Sequence, residues 1–147
     1  LGLLGKKGTT PTEEPETKAA VEKLRQEGIE FSKIFVCTTQ EALGSWSGFF
    51  NDTIRRRLEI IPVSIDEMND IEKMESRIKR NFIELLRDYL LFMDCTSGTR
   101  PSGIAFYRLA LKYYVPLIYL YEQKGEMLWL ISKHDVMDKI GPILRKN

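Results

Sequence analysis

Short apolar runs rich in β-branched residues alternate along this chain with longer segments of helical period, and that alternation limits the folds open to it. The runs are Leu1 to Leu4, Ile34 to Cys37, Leu58 to Ile65, Leu90 to Met93 and Leu117 to Tyr121. Strands joined through helices pair in parallel, because each connection must cross from one end of the sheet to the other. The expected class is therefore α/β, a Rossmann-like, mainly parallel sheet flanked by helices. Gln123-Lys124-Gly125-Glu126 reads as a hairpin connection into a sixth strand, Met127 to Ile131, which makes an antiparallel C-terminal edge.

The helices follow from period and punctuation. Asp70 to Tyr89 is the clearest, with Ile71, Met74, Ile78, Phe82, Leu85 and Tyr89 at spacings of three and four. An earlier helix begins at a Thr12 cap with Pro15 in its first turn, buries Ala20, Val21 and Leu24, and stops at Gly28. Pro101 or Ser102 opens a helix that runs to about Tyr114 and is apolar nearly all round, so it is expected to be well buried. A last helix spans Asp135 to Leu144. Between Gln40 and Arg57, Gly44, Ser45, Ser47 and Gly48 predict a loop running into a helix near Asn51 to Leu58. Trp46, Phe49 and Phe50 in that loop are expected in the core or at a dimer contact. Pro62 marks the third strand as an edge or a bulge.

At 147 residues the chain is one domain, 1–147. Lys and Arg number 22 against 21 Asp and Glu, a balance that argues against wrapping duplex nucleic acid but leaves room for a local basic pocket. Two cysteines, Cys37 and Cys95, make no disulfide framework and suit a reducing compartment. With His134 the only histidine, no zinc-ligand spacing exists. No apolar run reaches the roughly 18 residues of a membrane span. Position 1 is Leu rather than Met, which is expected of a chain that is processed, incompletely ordered at its start or cut from a longer protein. A preceding segment of such a protein could tether a cytoplasmic domain to the membrane.

Ligands of open α/β sheets bind beyond the carboxyl ends of the strands. Three such ends are rich in small polar groups: Gly5, Lys6, Lys7, Gly8, Thr9 and Thr10; Thr38, Thr39 and Gln40; and Asp94, Thr96, Ser97, Gly98, Thr99 and Arg100. Backbone N–H groups, hydroxyls, helix N-termini and fixed cations in these loops suit a phosphorylated ligand. Neither the P-loop spacing nor G-x-G-x-x-G is present, so ATP hydrolysis and hydride transfer are not favoured.

The stretch Met93-Asp94-Cys95-Thr96-Ser97-Gly98-Thr99-Arg100-Pro101-Ser102-Gly103-Ile104-Ala105 resembles the signature of the CARF family, the CRISPR-associated Rossmann-fold sensors. In that family a strand ends in Asp or Asn, and a Thr/Ser-Gly-Gly/Thr-Lys/Arg turn opens a helix. Ile34 to Thr39 and the Gly/Thr/Pro loop at 5–11 fit the same layout, while the first strand looks clipped.

The resemblance implies a homodimer that binds a cyclic oligoadenylate, most simply cyclic tetra-adenylate, across its two-fold axis. It also implies relay of that signal to an effector segment outside this chain (a nuclease, a DNA-binding or a membrane-inserted part) in type III CRISPR antiviral defence. A ring of four adenylates carries about four negative charges, which Lys6, Lys7 and Arg100 would meet without making the protein basic. Thr9, Thr10, Thr38, Thr39, Thr96 and Ser97 are expected to donate to phosphates or read ribose and adenine edges. No cofactor, metal or catalytic residue is called for in this reading.

Two other readings remain open. One is a metal-independent ring nuclease that cleaves the ring by attack of a ribose 2′-hydroxyl, with a cation near the developing charge. The other is a nucleotide-free interaction module presenting the aromatics at 46–50.

Overall fold

The computed structural model describes residues 1–5, 16–46, 48, 52–121 and 125–144. Lys6, Lys7, Gly8, Thr9 and Thr10, the expected helix cap at Thr12, Phe49, Phe50, and Gln123 and Lys124 of the hairpin connection lie outside the described residues.

Six strands form one sheet in the order β3-β2-β1-β4-β5-β6. They are β1 (Gly2–Leu4), β2 (Ile34–Thr38), β3 (Leu58–Pro62), β4 (Met93–Asp94), β5 (Leu117–Tyr121) and β6 (Glu126–Ile131). The first five pair in parallel, and β6 runs antiparallel to β5 at the edge. The expected parallel sheet and hairpin edge are thus present. So is the edge position of Pro62, which closes β3, an outer strand where no ladder N–H is missed.

Alternation along each strand divides the core between two faces. Leu3, Cys37, Met93 and Leu117 enter a cluster with Met74, Ile78 and Phe82 of α5 (Ile71–Asp88) and Phe106 and Leu109 of α6 (Arg100–Tyr113). On the other face Ile118 packs on Ala20 and Leu24 of α1 (Glu16–Gln26). Leu4 and Val36 meet Trp46 and Ile54 on that face. As its spacing predicts, Gly28 ends α1, with φ at +85° and Ile29 N donating to Leu24 O across the turn.

Four expectations are corrected. Gln40–Ser45 is a short helix, α2, because Thr39 caps it by accepting from Ala42 N at 3.1 Å, a local bond that outweighs the Gly and Ser signals. A second short helix, α3, is Asp52–Arg55. The strand expected through Ile65 stops at Pro62, since Ser64 and Glu67 make a reciprocal capping box that starts α4 (Ile65–Met68). β4 is two residues long, and Leu90 is 90% exposed instead of lying in a strand.

The fourth correction concerns α6, which begins one residue earlier than expected, at Arg100, and is not buried all round. Ile104, Tyr107, Leu111 and Tyr114 form an exposed stripe while Ala105, Phe106, Leu109 and Ala110 face the core. The last helix, α7 (Lys133–Leu144), starts two residues before the expected Asp135, whose carboxylate instead bonds the Ser132 N–H and hydroxyl. Among the described residues no helix is long and apolar enough to cross a membrane.

Candidate functional site

The strand order reverses direction between β1 and β4. Chain leaving β1 turns toward β2, and chain leaving β4 turns toward β5, so the two carboxyl ends diverge and open a crevice. Gly5 follows one end and the turn 95–98 follows the other. The sequence signature therefore falls where an open α/β sheet is built to take a ligand.

The turn is held by its own hydroxyls. Asp94 is buried, and its Oδ1 accepts from Thr96 N at 2.9 Å and from Thr96 Oγ1 at 2.5 Å. Thr96 Oγ1 in turn accepts from Leu120 N at 2.8 Å. β4 is too short to reach that N–H, so the threonine hydroxyl takes the place of a strand partner. Among the described residues Asp94 Oδ2 has no hydrogen-bond partner. Burial pushes the Asp94 carboxyl above its ordinary pKa, and the two Thr96 bonds oppose that rise.

Ser97 Oγ accepts from Gly5 N at 2.7 Å and so ties the end of β1 to the turn. Gly98 sits at φ +89°, and a Cβ there would lie 2.7 Å from Ser102 Oγ and 3.1 Å from Leu3 Cδ1. Only glycine lets the turn pass this close to β1. Thr99 caps α6 in a capping box with Ser102, and its hydroxyl also donates to Met68 O at the end of α4. Arg100 follows, exposed, on the first residue of α6, and among the described residues it has no ion-pair partner.

A groove of about 360 Å³ runs over these ends, with Gly5, Thr39, Asn69, Thr96, Ser97 and Thr99 in its wall. Two carboxylates, Glu16 and Glu41, also line it. With the Thr39, Thr96, Ser97 and Thr99 hydroxyls engaged inside the protein, the groove offers backbone groups and two carboxylates, with one guanidinium beside it.

Of the expected residues, Gly5, Thr39, Thr96, Ser97, Gly98 and Thr99 converge on this groove. Gln40 lines an adjoining hollow. Thr38 is buried, and its hydroxyl donates to Leu4 O at 2.9 Å, where it locks β2 to β1 beneath the groove. Asp94 holds the turn from below. Sequence reasoning missed Ile65, Met68 and Asn69, which α4 brings to the rim. The pattern Ser64-x-x-Glu67 was the available signal for that helix. It also missed the anchor at Gly5, whose carbonyl accepts from Trp46 Nε1 at 2.7 Å. Trp46 is 4% exposed, so it belongs to the core and not to an exposed contact surface.

Burial pushes both the Cys37 and the Cys95 thiol up to about 12, which keeps them protonated at neutral pH. Among the described residues no three His, Cys, Asp or Glu side chains gather as a metal ion would require.

No protein-family model matches the chain, and no curated protein matches it. Among solved structures it is similar to Can2 from Sulfobacillus thermosulfidooxidans in complex with cyclic tetra-adenylate. The TM-score is 0.56 over 89% of this chain, at 15% identity. The fold is CARF-like. The chain spans 34% of the length of the Can2 chain. The stretch that resembles the CARF signature, Asp94 to Arg100, is the same turn that borders the crevice between β1 and β4.

Proposed function

We propose that this CARF-like domain binds a cyclic oligoadenylate, with cyclic tetra-adenylate the first ring to test, and that it is the sensory part of a longer effector protein in a type III CRISPR system. The observation that carries the reading is the placement of the Asp94 to Arg100 turn at the sheet's switch point, where its hydroxyls fix the backbone beside an open groove. That Can2 is described in complex with cyclic tetra-adenylate supports the choice of ligand. Phosphates would lie against Arg100 and the turn, and Lys6 and Lys7 of the adjacent loop would add charge. Glu16 and Glu41 would accept from ribose hydroxyls or adenine amines.

A ring with two-fold symmetry suits two copies of one site. The exposed stripe of α6 supports a homodimer, because it starts one turn from Arg100 and needs a cover. Ile104, Tyr107, Leu111 and Tyr114 are 47, 42, 49 and 41% exposed and recur at spacings of three and four, so they line one face as a contiguous apolar stripe.

The test is incubation with cyclic tetra-adenylate followed by chromatography of the bound and recovered nucleotide. Intact ring at one per dimer is the expected result. Linear fragments would turn the reading into a ring nuclease. Absence of binding would leave the fold without this ligand. Binding is also expected to weaken with salt, because the phosphate contacts are ionic.

A further inference from the structure

Beside the groove a second, wider hollow of about 710 Å³ opens between the β2–α2 and β3–α4 connections. It shares Thr39, Glu41 and Ile65 with the groove, so a ligand lying in one reaches the other. Two of its residues are unusual.

Ile65 is a large aliphatic side chain, 56% exposed, at the rim that the groove and the hollow share. It cannot turn inward, because α4 is held on three sides. Ser64 and Glu67 close the capping box at 3.1 and 2.7 Å, Lys73 Nζ reaches Asp66 Oδ2 at 2.7 Å, and Thr99 Oγ1 donates to Met68 O. The last of these bonds fixes α4 directly to the signature turn. Exposed Pro62, in the same wall, adds a second apolar surface.

Gln40 is the other. It is exposed on the first turn of α2 and lines the hollow, and among the described residues its carboxamide has no hydrogen-bond partner. Its neighbour Thr39 is committed to the helix cap. A carboxamide presents a donor and an acceptor side by side. That pair matches the N7 acceptor and N6 donor of adenine, whereas the same edge of hypoxanthine or guanine presents two acceptors.

We infer that this hollow is a purine subsite in which an adenine ring lies against Ile65 and Pro62 while the Gln40 carboxamide reads its N6 and N7. The inference rests on the cyclic oligoadenylate reading and assigns base selectivity within it. An apolar platform contributes to any base, and the amide discriminates among bases.

The experiment is equilibrium binding of two rings: cyclic tetra-adenylate, and the same ring with hypoxanthine in place of adenine, which exchanges the N6 amine for a carbonyl oxygen. The proteins are the unsubstituted chain, Gln40→Ala and Ile65→Ser. The unsubstituted protein is expected to prefer the adenine ring by about tenfold or more. Gln40→Ala is expected to bring the two rings to equal affinity with an unchanged melting temperature, since the side chain is exposed and unpartnered. Ile65→Ser is expected to weaken both rings several-fold and to leave the slope of affinity against salt unchanged, because no phosphate contact is touched.

Equal affinity of the unsubstituted protein for both rings, or a preference that survives Gln40→Ala, would overturn the subsite and leave the cyclic oligoadenylate reading standing. Unchanged affinity in Ile65→Ser would remove the platform. Failure of the unsubstituted protein to bind either ring would overturn both.

Discussion

Replacing Thr96 by valine isolates the contribution of one hydroxyl to the architecture of the site. Thr96 Oγ1 donates to Asp94 Oδ1 and accepts from Leu120 N, at 2.5 and 2.8 Å. Valine keeps the shape and removes both bonds. The Leu120 N–H, on a residue 6% exposed, is then left unpaired at a cost of about 1–3 kcal/mol. The lost bond to the Asp94 carboxylate adds about 1.5–3 kcal/mol, partly offset because Thr96 N still serves the same oxygen. Together the loss is about 2–5 kcal/mol, a large share of a typical domain's stability. Thr96→Ser keeps both bonds and gives up one methyl, a loss of about 1 kcal/mol. Urea unfolding reads the difference. With a slope of about 2 kcal/mol per molar, the valine midpoint falls by about 2 M and the serine midpoint by about 0.5 M. The reasoning is refuted if the two variants unfold within about 1 kcal/mol of each other, for then the hydroxyl is not the partner that the short β4 leaves Leu120 without.

Other consequences follow from the same geometry. Gly98→Ala places a Cβ 2.7 Å from Ser102 Oγ, an atom already bonded to Thr99 O at 2.8 Å and to Thr99 N, so it cannot give way. The expected loss of about 2–4 kcal/mol lowers the melting temperature by roughly 10 °C in a scanning-calorimetry trace. Trp46→Phe removes the donor to Gly5 O while keeping most of the buried ring, and should lower stability by about 1–2 kcal/mol in a denaturant titration. Arg100→Ala should leave the unliganded protein's melting temperature unchanged and reduce both the affinity for cyclic tetra-adenylate and its salt slope, measured by titration at several ionic strengths.

The pH dependence has a definite sign. Because burial raises the Asp94 carboxyl in the folded state, its contribution to stability is full below the unfolded value near 3.9 and is lost as pH rises through the raised folded value. Asp94→Asn should flatten that decline in urea midpoints taken from pH 4 upward. An unchanged profile would mean another group produces it.

Much of this architecture was readable from residue order. The helix from 70 to 89 declares itself because its apolar stripe holds for five turns, and Gly28, Pro62 and Gly125 punctuate the chain as their backbone geometry requires. What misled was local competition over short distances. Gly44 and Ser45 speak against a helix, but Thr39 caps one there, and a six-residue helix has too little period to register. Leu90 to Met93 has the composition of a strand, but the two residues facing β1 and β5 are all that pair. The apolar residues around α6 suggest full burial, whereas the helix has only one neighbouring layer to cover it.

By itself, the sequence determined the class of fold, the parallel order of strand and helix, and the polar turn that follows the fourth strand, since these depend on period, on crossover geometry and on contiguous residues. Only the tertiary structure decided what each hydroxyl bonds. Thr38 and Thr96 are the same residue type at the ends of the two strands that flank β1, yet Thr38 bonds Leu4 O and Thr96 bridges Asp94 to Leu120. The tertiary structure also brought Ile65, from a distant connection, beside Gln40. Partners far apart in the chain meet only once the sheet has set its order, and no local pattern in the sequence encodes that distance.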